Sequence, residues 1–213
     1  PGLGQTEATA GIAIAAPTDS LEIRSTTVGR FVDHSNGKIA DLESGTALKT
    51  GETGEICVKS RLLMTGYYNR PDLTAQAIDR DGWLHTGDLG FLDSGGYLHY
   101  VGRIKEIINR GGEKIIPAEV EAVLSRYPGV KECKVIGLPD PYYGEEVCAC
   151  LVPACEGENL DAGHVRAFLE PRLAHFKLPR HIVTLPALPI NTSGKVRRGE
   201  LRRMAAESLG LET

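Results

Sequence analysis

The residues best suited to chemistry form three clusters along the chain. The first, Gly4-Gln5-Thr6-Glu7, offers backbone N–H groups, a hydroxyl and a carboxylate, which could contact a phosphate and a magnesium ion. The second comprises Asp88, which follows Thr86-Gly87, and Arg103. A carboxylate can accept both hydroxyls of a ribose, and a guanidinium can bind the same sugar or a phosphate. Either residue alone is equally consistent with a turn aspartate and a surface arginine that pair with each other.

The third cluster is the loop Pro189-Ile190-Asn191-Thr192-Ser193-Gly194-Lys195. A lysine on a glycine-containing loop is a mobile positive charge that could stabilise phosphate oxygens in a transition state and then withdraw. A single lysine on a loop is more often an exposed residue without a catalytic role. This cluster therefore indicates catalysis only in combination with the other two. The spacing excludes a GxxxxGK[ST] phosphate loop, a GxSxG nucleophile elbow and an HExxH metal motif.

The composition is that of a globular protein. The 213 residues are 41% hydrophobic and 24% charged, and the net charge is 24 − 28 = −4. This acidic balance argues against a nucleic-acid partner, and no apolar run approaches the roughly 18 residues of a membrane span. Five cysteines without a Cys-x-x-Cys pair predict neither disulfides nor a zinc site, and favour a cytoplasmic location. Cys148 and Cys150 alternate with apolar residues and are expected to act as small buried hydrophobes.

The predicted secondary structure that must position these clusters changes near Gly102. From about residue 26 to 103, short runs with period-two alternation predict a β-rich, barrel-like part with a hairpin around residues 93–96 and one short helix that begins at Pro71. After Gly102, strands and helices alternate. We expect helices over 117–127, 161–174 and beyond Arg197, and strands over 133–138, 147–152 and 182–185.

The predicted fold is therefore mixed α/β. A β-rich part over residues 1–103 is followed by a small α/β domain over 104–213, with a mixed sheet and about three helices. We expect a hinge at residues 102–105, where these two parts meet.

The motifs and their order resemble those of the adenylate-forming (AMP-binding) superfamily, and most closely its acyl-CoA synthetases. The resemblance rests on the run from Gly102 to Glu121, with Thr86-Gly87-Asp88 before it and Pro189 to Lys195 after it. It covers essentially the whole chain. It implies that residues 1–103 are the last part of the large N-terminal AMP-binding domain and that 104–213 are the whole mobile C-terminal domain.

The resemblance also implies a two-step reaction. A carboxylate, such as a fatty acid, attacks the α-phosphate of ATP with Mg²⁺ to give an acyl-adenylate and pyrophosphate. The C-terminal domain then rotates, and a thiol, usually that of coenzyme A, takes the acyl group. The family's Thr/Ser/Gly-rich phosphate loop lies upstream of the matching motifs, so we expect this chain alone to be inactive.

Carried over motif by motif, the resemblance gives each cluster a role. Lys195, Thr6 and Glu7 are catalytic, and Glu7 binds Mg²⁺. The nucleotide, acyl group and pantetheine would be contacted by Gly4, Gln5, Asp88, Arg103, Gly111 and Gly112, with Lys105 as the hinge. Leu3 departs from the pattern, because family members usually carry an aromatic residue there to stack on adenine.

Two alternatives stay open. The glycine loop from Asn109 to Ile115 is similar to that of acyl-CoA synthetases, but an adenylation domain that loads a carrier protein would share most motifs. The chain could instead be a noncatalytic interaction module whose basic patch binds nucleic acid; that patch would be Arg197, Arg198, Arg202 and Arg203. The acid that is activated and the oligomeric state are not readable from the sequence.

Overall fold

A computed structural model describes residues 1–9, 11–155, 160–192 and 194–211, which contain twelve β-strands and five α-helices. The chain divides into two compact units, Pro1–Lys105 and Glu106–Thr213. The boundary predicted after residue 103 lies two residues before this division. In the part of the chain described, no helix combines the length and apolar character that crossing a membrane requires.

The first unit is β-rich and contains two antiparallel sheets. The smaller sheet has the order β1 (Gly2–Leu3), β2 (Ala13–Ile14), β3 (Arg30–Phe31). The larger one runs in sequence order through β4 (Ser35–Ala40), β5 (Gly54–Ser60), β6 (Leu84–Leu92) and β7 (Leu98–Arg103). Buried apolar side chains fill this unit, among them Ile12, Ile39, Ile56, Val58, Leu84 and Leu98. The predicted hairpin is present between β6 and β7.

One short helix was predicted within about residues 26 to 103, and the described residues contain one α-helix that begins in that range. Helix α2 (Pro71–Ala77) begins at the expected proline. Helix α1 (Leu21–Thr26) was missed because none of its residues is buried, which leaves no apolar periodicity to detect. Its start is instead marked by the Ser20 side chain, which accepts the backbone N–H of Ile23 at 3.3 Å.

The second unit is a five-stranded mixed sheet covered by helices, as predicted. Its central strand β11 (Gly144–Pro153) pairs antiparallel with β10 (Val130–Asp140) and parallel with β12 (His181–Thr184). A short hairpin, β8 (Ile108–Arg110) and β9 (Glu113–Ile115), completes the sheet. The strands predicted from the sequence did not include this hairpin.

Three α-helices pack on this sheet, in agreement with the predicted number: α3 (Pro117–Leu124), α4 (Ala162–Leu169) and α5 (Arg198–Leu209). Helices α3 and α4 end before the predicted residues 127 and 174. Strand β11 is buried on both faces. Val147, Ala149 and Leu151 join the core with α3 and α4, whereas Cys148 and Cys150 join the core with α5. The two cysteines are thus packing residues, as expected, and all five cysteines are free thiols.

Candidate active site

The two residues of the second cluster, Asp88 and Arg103, lie in contact. Asp88 on β6 lies opposite Arg103 on β7 in the antiparallel register, and Arg103 Nε is 2.9 Å from Asp88 Oδ1. The Asp88 side chain is 2% exposed and that of Arg103 is 43% exposed. The Asp88 backbone N–H donates to Thr86 Oγ1 at 3.1 Å, and the Thr86 hydroxyl donates to the Ile56 carbonyl at 2.6 Å. The Thr86 hydroxyl thus anchors the backbone of Asp88, and Arg103 pairs with its carboxylate.

A cavity of about 450 Å³ lies beside this pair, and its wall includes Glu55, Gln76, His85, Thr86, Gly87, Arg103, Ile104 and Lys105. Gly87 has a φ of +70°, a conformation that side chains with a Cβ rarely adopt. Because Asp88 is almost wholly covered, a sugar in the cavity would reach its carboxylate only after a covering side chain such as Arg103 moves. In this structure the Asp88 carboxylate is therefore shielded, and Arg103 lies between it and the cavity side of the pair.

The N-terminal cluster lies on a single 3₁₀ turn, Thr6–Ala8, that follows Gly4 and Gln5. The Tyr67 hydroxyl donates to Glu7 Oε1 at 2.7 Å, and the Met64 N–H donates to the Glu7 carbonyl at 2.8 Å. Acceptance by Glu7 raises the pKa of the Tyr67 hydroxyl. The sequence interpretation missed Tyr67, because nothing local links residues 60 positions apart.

In the third cluster, Lys195 faces Asn191 across a tight turn. The Asn191 N–H donates to the Lys195 carbonyl at 2.8 Å, and the Lys195 N–H donates to Asn191 Oδ1 at 2.9 Å. Ile190 and Val196 form a bridge beside this turn, and Lys195 is exposed. Ser193 of the predicted motif lies outside the described residues. Asn191 was not predicted as a functional residue, although asparagine commonly closes turns through its side-chain oxygen.

The glycine loop is the turn of the β8–β9 hairpin. Gly111 and Gly112 have φ values of +59° and +95°. A Cβ on Gly111 would lie 2.9 Å from Tyr143 Cδ1, which is too close for a carbon contact. The Gly111 N–H donates to the Tyr143 carbonyl at 2.9 Å, and the Gly112 N–H donates to Asn109 Oδ1 at 3.1 Å. The backbone conformation of this turn therefore favours glycine at both positions.

The predicted hinge residue Lys105 is the last residue of the first unit and lies in the 3₁₀ turn Ile104–Glu106. On the other side of the division, Arg198 Nη2 donates to Glu106 Oε2 at 2.7 Å and Arg198 Nη1 donates to the Val135 carbonyl at 3.1 Å. The first residue of the second unit is thus tied to α5 and β10. This leaves the chain around Lys105 as the connection between two internally bonded bodies.

Family comparisons agree with the two units. Residues 1–68 match the family of AMP-binding enzymes, and residues 119–195 match the AMP-binding enzyme C-terminal domain. The chain belongs to the AMP-binding enzymes.

The relatives most similar in sequence include acyl-CoA ligases. The chain is 37% identical over 195 residues to the human mitochondrial medium-chain acyl-CoA ligase ACSF2, covering 92% of this chain and 32% of the relative. It is 43% identical over 203 residues to a feruloyl-CoA synthase of an Amycolatopsis species, covering 95% and 40%. The chain thus spans about a third to two fifths of these relatives.

Solved structures of adenylate-forming enzymes share its fold. ATP-bound MatB from Rhodopseudomonas palustris superposes with a TM-score of 0.79 at 36% identity, over 84% of this chain and 35% of that one. The o-succinylbenzoate CoA synthetase MenE of Bacillus subtilis, in complex with its acyl-adenylate, gives 0.79 at 36% identity over 93% and 40%.

Proposed function

We propose that this chain is the C-terminal part of an ATP-dependent carboxylic acid–CoA ligase, which forms an acyl-adenylate and then an acyl-CoA thioester. The observation that carries the proposal is the similarity to acyl-CoA ligases over 92–95% of the chain. The match to the C-terminal domain of the family ends at residue 195, so it includes the exposed Lys195.

Asp88 and Arg103 serve the nucleotide in this proposal. The Asp88 carboxylate accepts the ribose hydroxyls, and the Arg103 guanidinium moves from Asp88 to the sugar or the α-phosphate when the nucleotide enters. The 43% exposure of Arg103 supports this movement, since its far side already faces solvent. Gly4 and Gln5 lie beside the adenylate and the acyl group.

The residues of the N-terminal turn fit a magnesium ion. Glu7 offers a carboxylate and Thr6 an exposed hydroxyl, and Mg²⁺ prefers such oxygen ligands while it retains several waters and contacts phosphates. When bound, the ion would neutralise charge on the phosphate oxygens. The Tyr67 hydroxyl fixes one Glu7 oxygen and so orients the other. Thr6 contacts the phosphate or the substrate carboxylate.

Lys195 acts in the first step, where negative charge develops on the α-phosphate oxygens as pyrophosphate leaves. Hydrogen bonds with Asn191 fix the Lys195 backbone in the turn, and the lysine is exposed. Rotation at Lys105 would then withdraw Lys195 and bring the Gly111-Gly112 turn to the pantetheine arm of CoA. Such domain motions commonly separate the steps of a two-step enzyme.

The relatives favour CoA over a carrier protein as the thiol, and a fatty or related carboxylic acid as the acyl substrate. The noncatalytic alternative is weakened by the arginines of the presumed basic patch, because each pairs with a carboxylate. The partners of Arg197, Arg198, Arg202 and Arg203 are Glu200, Glu106, Glu145 and Glu207, in that order. The five free thiols suit a reducing compartment such as the cytoplasm.

The experiment uses the intact protein that contains this chain. Carboxylic acids of different chain length and aromatic character are screened for pyrophosphate release from ATP, with and without CoA, and products are identified by mass spectrometry. We expect at least one acid to give pyrophosphate and, with CoA, its thioester. Acyl-adenylate that passes only to a carrier protein would favour the alternative, and absence of any ATP-dependent activation would refute both.

A further inference from the structure

Three potential metal ligands meet between β5 and β6, and two of them, Glu55 and His85, line the cavity beside Arg103. None of the three has a role in the proposed reaction. Glu55 and Cys57 lie on β5, and Cys57 is directly opposite His85 on β6. The ligand atoms of these three residues all lie within 4.8 Å of one another. A β-bulge falls between Glu55 and Cys57, a feature that often re-aims side chains beside functional sites.

We propose that Glu55, Cys57 and His85 bind one divalent transition-metal ion, for which this donor set favours Zn²⁺. Thiolate, imidazole and carboxylate are the three ligand types that zinc uses in proteins. Alkaline-earth ions prefer sites made of oxygen alone, so the cysteine argues against them. Three protein ligands leave a fourth position for water.

The distances agree with such a site after one small adjustment. Tetrahedral zinc with ordinary bond lengths separates a cysteine sulfur from an imidazole nitrogen by about 3.6 Å, and that nitrogen from a carboxylate oxygen by about 3.4 Å. Cys57 Sγ is 3.6 Å from His85 Nδ1, and His85 Nδ1 is 2.7 Å from Glu55 Oε2. An ion between Glu55 and His85 would therefore require the carboxylate to shift outward by about 0.7 Å.

The imidazole already has the support that metal-bound histidines usually receive on their second nitrogen. His85 Nε2 is 3.4 Å from Asp79 Oδ2. The other oxygen of Asp79 accepts the N–H groups of Asp81 and Trp83, both at 2.9 Å, which fixes this carboxylate. A proton on Nε2 is thereby directed to Asp79, and Nδ1 is left facing Cys57 and Glu55.

An ion can reach the site and would relieve an unfavourable electrostatic environment. Glu55 and His85 both line the 450 Å³ cavity, which gives solvent access. Burial, together with the negative charges of Glu55 and Asp79, raises the pKa of the Cys57 thiol to about 12 despite the nearby Lys38. Because the thiolate is the metal-binding form of cysteine, binding releases the thiol proton. The Cys-x-x-Cys criterion missed the site because its ligands meet through strand pairing.

Cobalt(II) tests the proposal directly, because a thiolate ligand gives an intense charge-transfer band and tetrahedral geometry gives strong visible bands. We expect one equivalent of Co²⁺ to produce both, and Zn²⁺ to displace it with loss of colour and release of protons. Cys57→Ser should abolish the charge-transfer band, whereas the exposed Cys155→Ser should keep it. Asp79→Asn should weaken binding about 10- to 100-fold.

Circular dichroism of each variant separates loss of a ligand from loss of the fold. Glu55→Gln gives a second variant that keeps side-chain volume, and it should also weaken Zn²⁺ binding. Absence of the band in folded wild-type protein at millimolar Co²⁺ would overturn the proposal. An unchanged band in folded Cys57→Ser would overturn it as well. The assay contains no ATP, CoA or acid, so its result is independent of the proposed ligase activity.

Discussion

The ion pair between Asp88 and Arg103 allows a quantitative test of how the first unit is held together. Arg103→Met removes the guanidinium but keeps much of the apolar stem, and Asp88→Asn keeps side-chain shape without the charge. If the pair stabilises the unit, the double variant should be less destabilised than the sum of the two single variants. Arg70→Met is the matched control, because its pair with Asp72 is more than half exposed on both sides.

The magnitude follows from the burial of each partner. Exposed ion pairs contribute about 0–1 kcal/mol, whereas removing one partner of a buried pair costs about 3–5 kcal/mol. Asp88 is 2% exposed and Arg103 is 43% exposed, which places the pair between these limits. We therefore expect Arg103→Met to lower the free energy of unfolding by about 2 kcal/mol, and Arg70→Met to change it far less because its pair is fully solvated.

The assay is urea unfolding followed by tryptophan fluorescence. Trp83 is the only tryptophan of the chain and lies in the first unit, so its signal reports that unit. With a denaturant slope of about 1.5 kcal/mol/M, Arg103→Met should lower the urea midpoint by about 1 M. A coupling energy between Asp88 and Arg103 below about 0.5 kcal/mol, with all variants folded, would refute the reasoning.

Three further predictions concern the proposed enzyme. In the intact protein, Tyr67→Phe should raise the Mg²⁺ concentration needed for half-maximal pyrophosphate exchange about tenfold, because Glu7 loses its orienting hydroxyl; Tyr68→Phe should not, and equal effects would contradict this role. Gly111→Ala should lower the melting temperature by several degrees through its positive φ and the approach to Tyr143, whereas an unchanged melting curve would show that the turn relaxes freely. The 213-residue chain alone should show no ATP–pyrophosphate exchange, since it spans only about a third to two fifths of its ligase relatives; exchange at the intact protein's rate would refute this.

Elements with strong periodicity or a clear start signal were predictable from the sequence. Pro117 marks the first residue of α3, and the alternation around Cys148 and Cys150 identifies β11. Helix α1 and the β8–β9 hairpin could not be predicted, because the helix buries no residue and each strand of the hairpin has only three residues.

The candidate site shows the same division between local and tertiary information. The Asp88–Arg103 pair was predictable because both residues lie in distinctive local motifs, and the roles of these residues and of Lys195 stay predictions. The contacts around such residues could not be predicted from the sequence. Tyr67 contacts Glu7, which lies 60 positions away in sequence, and His85 contacts Cys57, which lies 28 positions away. These contacts exist only once strands and loops pair, and a residue's own neighbours in sequence carry no trace of them.

The most direct test of the central claim separates the two half-reactions in the intact protein with Lys195→Ala. The first is followed by ATP–pyrophosphate exchange with the acid, and the second by conversion of synthetic acyl-adenylate and CoA to the thioester. Lys131→Ala, another exposed lysine of the second unit, is the control. The account predicts that Lys195→Ala slows the first step by about 100-fold or more and leaves the second near the wild-type rate. Unimpaired pyrophosphate exchange in Lys195→Ala, or an equal loss in both steps with the fold intact, would contradict it.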